Sequence, residues 1–496
     1  MDDRVLGMST RVRSRERGGS APPGPTLQWP GRTWQVGQPR AAGPALDEIE
    51  RFGAGAPSSG LLAFGDALDV ASALRAEGLG GKVDLIYVDP PFASQASYSH
   101  EARLDGPADG RVRRTLAYGD TWPTQGSTEQ DSSDGVGAYL DMLAPRLEAM
   151  AALLAPTGTL WVHLDWRASY LVRVLLDEVL GRRRFVNEIV WRRAPNLGRQ
   201  AASGQFGRTL DTIVVYGGPD ARLSPPTRLE PIPSAAIRRD EEGRPFTTAP
   251  RGDYTDESMA RLAADGRVHT TASGRQYVKY FLEPNAGGEL CRERRIDTLW
   301  TDVPPLRHAA VSERTGYPTQ KPRALLDRIV RCATPPGGLV VDLFAGSGTT
   351  GEAAHALGRR FVLADQSAVA LNTARARLLR SGASFSVATC GDAAPPAGGD
   401  VLVNVSGCGG AVKLELVRPP EPLAWAVGAR MDDGAPFVPA WHSERHPGAT
   451  PVPASREAHL DLFVPLDVRV YGDDGSVATA RCSAPSLKLS LAEPAS

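Results

Sequence analysis

A chain of 496 residues has room for two or three domains, and its 42% hydrophobic and 23% charged residues are ordinary for a globular protein. The net charge of −1 argues neither for nor against a nucleic-acid partner, so any basic surface has to be local. Five scattered cysteines (Cys291, Cys332, Cys390, Cys408 and Cys482) contain no CxxC pair, leaving no disulfide framework or metal site to expect, and no run of about 18 apolar residues predicts a membrane span.

Residues 1–45 are rich in Arg, Gly and Pro, with the run Arg11-Val12-Arg13-Ser14-Arg15-Glu16-Arg17, and read as a disordered basic tail too poor in apolar residues for a core. They hold no apolar stretch of the signal-peptide type, which predicts a cytoplasmic protein. From residue 60 the texture alternates. "LLAFGDA" (61–67) and "VDLIYVD" (83–89) read as buried strands, with the amphipathic helix "LDVASALRAEGL" between them. A helix over 136–156, a strand over 158–165 and the helix "RASYLVRVLLDEVLG" follow, then strands over 187–193 and 210–218. Between 194 and 296 the rhythm fails in a polar, turn-rich, arginine-studded segment, although 207–218 within it reads as a sheet strand. The alternation resumes with a helix over 322–333, a strand over 338–346, the helix "TGEAAHALG" and a strand over 360–365. Short strand-like pieces occupy 383–496, where Asp473-Asp474-Gly475 signals a hairpin. The expectation is an α/β fold, a doubly wound mixed sheet built from 46–193 and 297–382, with an insertion over 194–296 and a small β-rich C-terminal module.

Two motifs carry chemistry. Gly346-x-Gly348-x-x-Gly351 stands between a strand and a helix, and Asp365 ends the next strand about twenty residues on. Glycines let the backbone approach a ligand, the helix start offers free N–H groups, and an acid at Asp365 suits ribose hydroxyls. Taken alone this fits a dinucleotide fingerprint. Asp342, at the end of the preceding strand, favours S-adenosylmethionine instead, because a carboxylate there repels a pyrophosphate and suits a sulfonium and an ammonium. The second motif, Asp89-Pro90-Pro91-Phe92, ends the strand "VDLIYVD"; alone it is also an ordinary strand-ending turn with an aromatic plug.

The ordered set of Asp89-Pro90-Pro91-Phe92, the insertion, "DTLWTDVPP", Tyr317-Pro318-Thr319-Gln320-Lys321-Pro322 and Phe344-Ala345-Gly346-Ser347-Gly348 resembles the amino-group DNA methyltransferases of the permuted β class. The likeness is especially to the modification subunits of type III systems and to their stand-alone, adenine-specific relatives. "APTGTLWVHLDWRASYLVRVLLDEVLG" and "NEIVWRR" extend the likeness over about 60–380. One departure is Leu210 before Asp211, where relatives often carry His-Asp.

The resemblance implies a circularly permuted, Rossmann-like, S-adenosylmethionine-dependent fold whose insertion recognises the target. It also implies double-stranded DNA as partner, with a restriction subunit or a second copy of the chain as protein partner, and transfer to the N6 amine of a flipped adenine. That amine is a poor nucleophile, so Asp89 and the Pro90 carbonyl are expected to accept its hydrogens, Pro91 to stiffen the turn and Phe92 to stack on the base. Asp342, Phe344, Gly346, Gly348 and Thr349 are expected to line the cofactor and Asp365 to hold its ribose. Thr319 and Lys321 are assigned to its methionine end; Lys321 is one of only five lysines, although a plain helix start also explains Thr-Gln-Lys-Pro. Asp66, placed on the strand beside the DPPF strand, is preferred over Asp392 for the adenine amine of the cofactor. The rival readings are a cytosine-N4 methyltransferase, an inactive nucleic-acid-binding relative and an NAD oxidoreductase.

Overall fold

Successive side chains of the apolar strands enter opposite cores. Leu85 and Tyr87 pack with Leu62, Ile213 and Val340 on one side, while Ile86 and Val88 pack with Ala63, Val214 and Val341 on the other. A strand buried on both faces needs no polar alternation, which is why VDLIYV is an unbroken apolar run. The computed structural model describes residues 26–482 apart from 30, 38–42, 54–58, 95, 104–111, 123–134, 195–203, 205, 399–401, 409–410, 419–422, 430–434, 445–454 and 459–465.

Before the insertion come β1 (Leu46–Phe52), β2 (Gly60–Phe64), α1 (Ala67–Leu74), β3 (Val83–Val88), the hairpin of β4 (Ala96–Arg103) and β5 (Val112–Asp120), α2 (Val136–Ala151), β6 (Leu154–Leu164), α3 (Ser169–Leu176), β7 (Phe185–Arg192) and β8 (Leu210–Gly217). After it come β9 (Leu299–Trp300), α4 (Arg323–Ala333), β10 (Leu339–Asp342), α5 (Thr349–Ala356), β11 (Arg360–Asp365), α6 (Ala368–Arg380) and β12 (Phe385–Cys390). Ten of these strands form one sheet in the order β1-β12-β2-β11-β10-β3-β6-β8-β7-β9. The run from β12 to β6 is parallel, whereas β1 and β8 are antiparallel to their neighbours. Leu325, Leu326, Ile329 and Val330 bury α4 on one face together with α5 and α6. Val70 of α1, Leu143 of α2 and Val172 of α3 cover the other.

This order corrects one expectation. The strand leading to Asp66 is not beside the DPPF strand, because β10 and β11, from some 250 residues later, lie between β2 and β3. Parallel strands cannot be joined by a tight turn, so neighbours along the chain are free to be parted in the sheet.

A second correction concerns the tail. Residues 1–25 lie outside the described residues, but Leu27, Trp29 and Trp34 pack against the core on the α1–α3 side. Arg32 lies between the rings of Trp29 (4.8 Å) and Trp34 (5.0 Å) and pairs with Glu178 at 2.5 Å. Two tryptophans and one shared cation supply the burial that the composition of the tail as a whole does not.

The insertion forms a three-stranded sheet (Thr227–Pro231, Glu283–Pro284, Leu290–Arg295) and a four-stranded one (Arg238–Arg239, Pro245–Pro250, Val268–Thr270, Gln276–Phe281). Its helix Asp256–Ala264, capped by the Thr255 hydroxyl, adds Met259 and Leu262 to a small core with Val278. In the C-terminal segment, Leu466–Tyr471 and Val477–Cys482 pair antiparallel on either side of Asp473-Asp474-Gly475, as the hairpin signal requires. The segment is tied to the main sheet at Glu50 of β1. This buried carboxylate meets Arg375 of α6 (3.0 Å), Arg469 (2.7 Å) and the Tyr471 hydroxyl (2.9 Å). Removing it leaves the fully buried Arg375 without its countercharge. Glu50→Ala is therefore expected to destabilise the chain by about 3–5 kcal/mol in denaturant unfolding, with far-UV circular dichroism of the folded state unchanged.

Candidate active site

Parallel pairing places the carboxyl ends of β3 and β10 side by side, so the DPPF turn and the glycine loop open on one rim of the sheet. A cavity of about 540 Å³ lies there. It is lined by Asp66, Asp89, Pro90, Pro91, Phe92, Thr319, Lys321, Asp342, Phe344, Gly346, Thr349 and Asp365, which the sequence pattern had singled out. Gly348 acts behind it. With φ at +74° it starts α5, and a Cβ there would stand 2.7 Å from that of Ala374. Asp392 lines a separate hollow with Cys390 and Gly391.

Asp89 is the centre of the cavity's chemistry. Its Oδ2 forms an ion pair with the Lys321 ammonium, which also lies 5.1 Å from the centre of the Phe92 ring. Its Oδ1 is buried and has no hydrogen-bond partner among the described residues. A buried carboxylate oxygen without a donor costs about 1–3 kcal/mol or more, so this atom is an acceptor held ready for a donor entering the cavity. Lys321, expected at the methionine end of a cofactor, lines the same cavity as the glycine-loop residues and pairs there with the acid. The Thr319 hydroxyl, at a residue with φ +58°, pairs with the Tyr118 hydroxyl at 2.9 Å.

The other acids face inward on the glycine-loop side. Burial pushes Asp342 up to about 7, against hydrogen bonds from the Thr350 hydroxyl (2.6 Å) and the Phe344 N–H (3.0 Å), while Asp89 and Asp365 add repulsion. Burial likewise pushes Asp365 up to about 6, against the N–H groups of Ser367 (2.8 Å) and Gly346 (2.9 Å). Two carboxyls that resist ionising suit a cation, which would stabilise their charged forms. Asp66 caps α1 through Leu68 N–H (2.8 Å) and pairs with Arg146 (2.5 Å).

Under Phe92 lies a buried polar chain that the motifs did not announce. The His163 ring stacks on Phe92 with centroids 6.1 Å apart. His163 Nδ1 shares a hydrogen bond with the Tyr87 hydroxyl (2.9 Å), and its Nε2 with Asp211 (3.1 Å). Burial works against Asp211, yet its hydrogen bond to His163 and the charges of His163, Lys321 and Arg193 hold its carboxyl below the ordinary value. His163 comes from β6, the strand paired with the β8 that carries Asp211. Asp120, Tyr118 and Arg146 were missed as well; an acid ending a strand, as in Tyr118-Gly119-Asp120, was the available signal.

The family model for DNA methylases (N6_N4_Mtase) matches residues 83–376, more than half of the chain. The chain belongs to the DNA methylase family. It is 28% identical over 325 residues to the type II methyltransferase M.EcaI of Enterobacter cloacae, covering 60% of this chain and 65% of that one. It is 25% identical over 343 residues to the StyLTI Mod subunit, a type III restriction-modification enzyme of Salmonella typhimurium, covering 60% of this methylase and 50% of the subunit. This methylase thus spans between half and two thirds of the length of these two relatives. The crystal structure of an M1.HpyAVI–SAM complex aligns with a TM-score of 0.36 at 17% identity, covering 64% of this chain and 98% of that one. Among the described residues no helix is long and apolar enough to cross a membrane, and no cluster of His, Cys, Asp or Glu could hold a metal ion.

The raised Asp342 has a consequence for stability. Its folded value of about 7 lies above the ordinary 3.8, so the native state binds the proton more tightly. That contribution is fully present below about pH 4 and is lost as pH rises through about 7. Without ligand, the wild-type melting temperature minus that of Asp342→Asn should fall between pH 5 and pH 8 in differential scanning calorimetry.

Proposed function

We propose that this methylase transfers a methyl group from S-adenosylmethionine to the N6 amine of an adenine flipped out of duplex DNA. The observation that carries the reading is the division of labour on Asp89, with one oxygen paired to Lys321 and the other buried and without a hydrogen-bond partner among the described residues. An exocyclic amine donates two hydrogens. The free Oδ1 and the carbonyl of Pro90, stiffened by two consecutive prolines, supply acceptors for both. Accepting both draws the nitrogen towards a tetrahedral shape and returns its lone pair for attack. Phe92, backed by the His163 ring, offers a face for stacking, and flipping itself costs a few kcal/mol.

The residues on the glycine-loop side fit S-adenosylmethionine, which supplies an electrophilic methyl group on a sulfonium. Asp342 is a buried carboxyl that a cationic ligand would return to its charged form, Asp365 is a buried acceptor suited to ribose hydroxyls, and Gly346 keeps the approach open with φ at +49°. The insertion, rich in arginine, is the part proposed to read the DNA sequence, through phosphates and guanine edges. Likeness to the Mod subunit of a type III restriction-modification enzyme supports a partner subunit.

A cytosine-N4 amine meets the same two acceptors; by resemblance to the family, an aspartate rather than a serine at position 89 leans towards adenine without deciding it. Tritiated S-adenosylmethionine with duplex DNA, followed by nucleoside chromatography, is expected to place the label on N6-methyladenine; label on N4-methylcytosine would replace the adenine reading. Asp89→Ala should lower transfer at least about a hundredfold while leaving cofactor binding by calorimetry intact. Cofactor affinity should tighten as pH rises from about 5.5 to 7.5, because ionised Asp342 favours the cation and ionised Asp365 accepts more strongly from ribose hydroxyls. Asp342→Asn should flatten that dependence.

A further inference from the structure

We propose that Asp120 is a positioning residue for the transfer, holding the loop Phe92–Ser94 in the shape that seats the target base; this rests on the reading above. Asp120 closes β5 and is 1% exposed. Its Oδ2 accepts the N–H groups of Phe92 (3.0 Å) and Ser94 (2.8 Å), and its Oδ1 those of Ala93 (2.9 Å) and the Trp122 indole (2.9 Å). Four donors on two oxygens fill a carboxylate's capacity, so the acid has nothing left for a substrate and works through the loop. Three successive backbone N–H groups converging on one charge form an anion nest, and such charge-assisted bonds are about twice as strong as neutral ones.

The loop needs this anchor. Ala93 sits at φ +54°, a left-handed conformation that is strained for an L-residue. The nest begins at Phe92, directly after the two prolines, so it fixes the backbone that carries the ring bordering the cavity. The same hairpin is tied to the other half of the cavity. The Ala117 carbonyl accepts the Ser367 hydroxyl (2.7 Å), Glu101 N–H donates to Gly316 (3.1 Å), and the Tyr118 ring stacks on Tyr98 and Tyr317. Asp120 therefore joins the DPPF turn to a wall that reaches the glycine loop.

An asparagine at this position offers one acceptor oxygen instead of two and turns an NH2 towards backbone donors. In Asp120→Asn, kcat/KM for duplex DNA should fall on the order of a hundredfold, with the Kd for S-adenosylmethionine unchanged. Hydrogen exchange of the 92–94 amides should accelerate while that of 339–350 stays as in the wild type. Adding Ala93→Gly should recover part of the lost activity, because glycine adopts the positive φ without strain. Exchange at 92–94 that ignores the substitution would overturn the role of Asp120, as would parallel losses of cofactor binding and melting temperature with no rescue by Ala93→Gly. A wild-type chain that transfers no methyl group to DNA would overturn the proposed function instead, and the exchange result does not depend on it.

Discussion

The ion pair between Lys321 and Asp89 joins residues 232 positions apart, and the cavity is organised around it. It fixes one oxygen of the acid, leaves the other as an acceptor, and lays a cation against the ring of Phe92. The pair is largely buried, and removing either partner from a buried pair typically costs about 3–5 kcal/mol, because the remaining charge is stranded. Lys321 is itself held by its backbone, whose carbonyl accepts the Thr349 hydroxyl at 3.3 Å. The first turn of α5 and the end of β3 are thereby coupled through one lysine.

The sheet makes that pairing possible. Inserting β10 and β11 between β2 and β3 brings the Asp342 and Asp365 ends beside Asp89, although the insertion separates them along the chain. The insertion and the C-terminal strands fold as β-rich additions outside this sheet, and the buried Glu50 cluster locks the latter to β1 and α6. Each face of the sheet has its own helices and core, so the rim where the strands end is the place left for polar chemistry.

Much of this was legible in the residues. The apolar runs at 83–88 and 339–342 are strands because both faces are buried, and Gly348 marks a start of helix that tolerates no side chain. Tertiary relations were less accessible. The position of β2 in the sheet followed from chain order only by assumption, and long parallel crossovers break that assumption. The role of Lys321 turned on which acid it would meet. The hairpin of β4 and β5 was missed because its inward-facing Ala96, Tyr98 and His100 alternate with exposed Ser97, Ser99 and Glu101 but include none of the Val, Ile or Leu that mark a buried strand. Its importance lies in a nest of backbone N–H groups around Asp120, a geometry that side-chain identity does not encode. Trp29 and Trp34 were outweighed by the arginines and prolines around them, although two aromatic anchors suffice to dock a short segment.

A crystal structure of the protein with a non-reactive S-adenosylmethionine analogue and methylatable duplex DNA tests the central claim most directly. The account predicts the target adenine outside the stack, its amine within hydrogen-bond distance of Asp89 Oδ1 and the Pro90 carbonyl, and Lys321 still on Oδ2. A complex in which Lys321 leaves Asp89 for the ligand, or in which the amine meets neither acceptor, would contradict it.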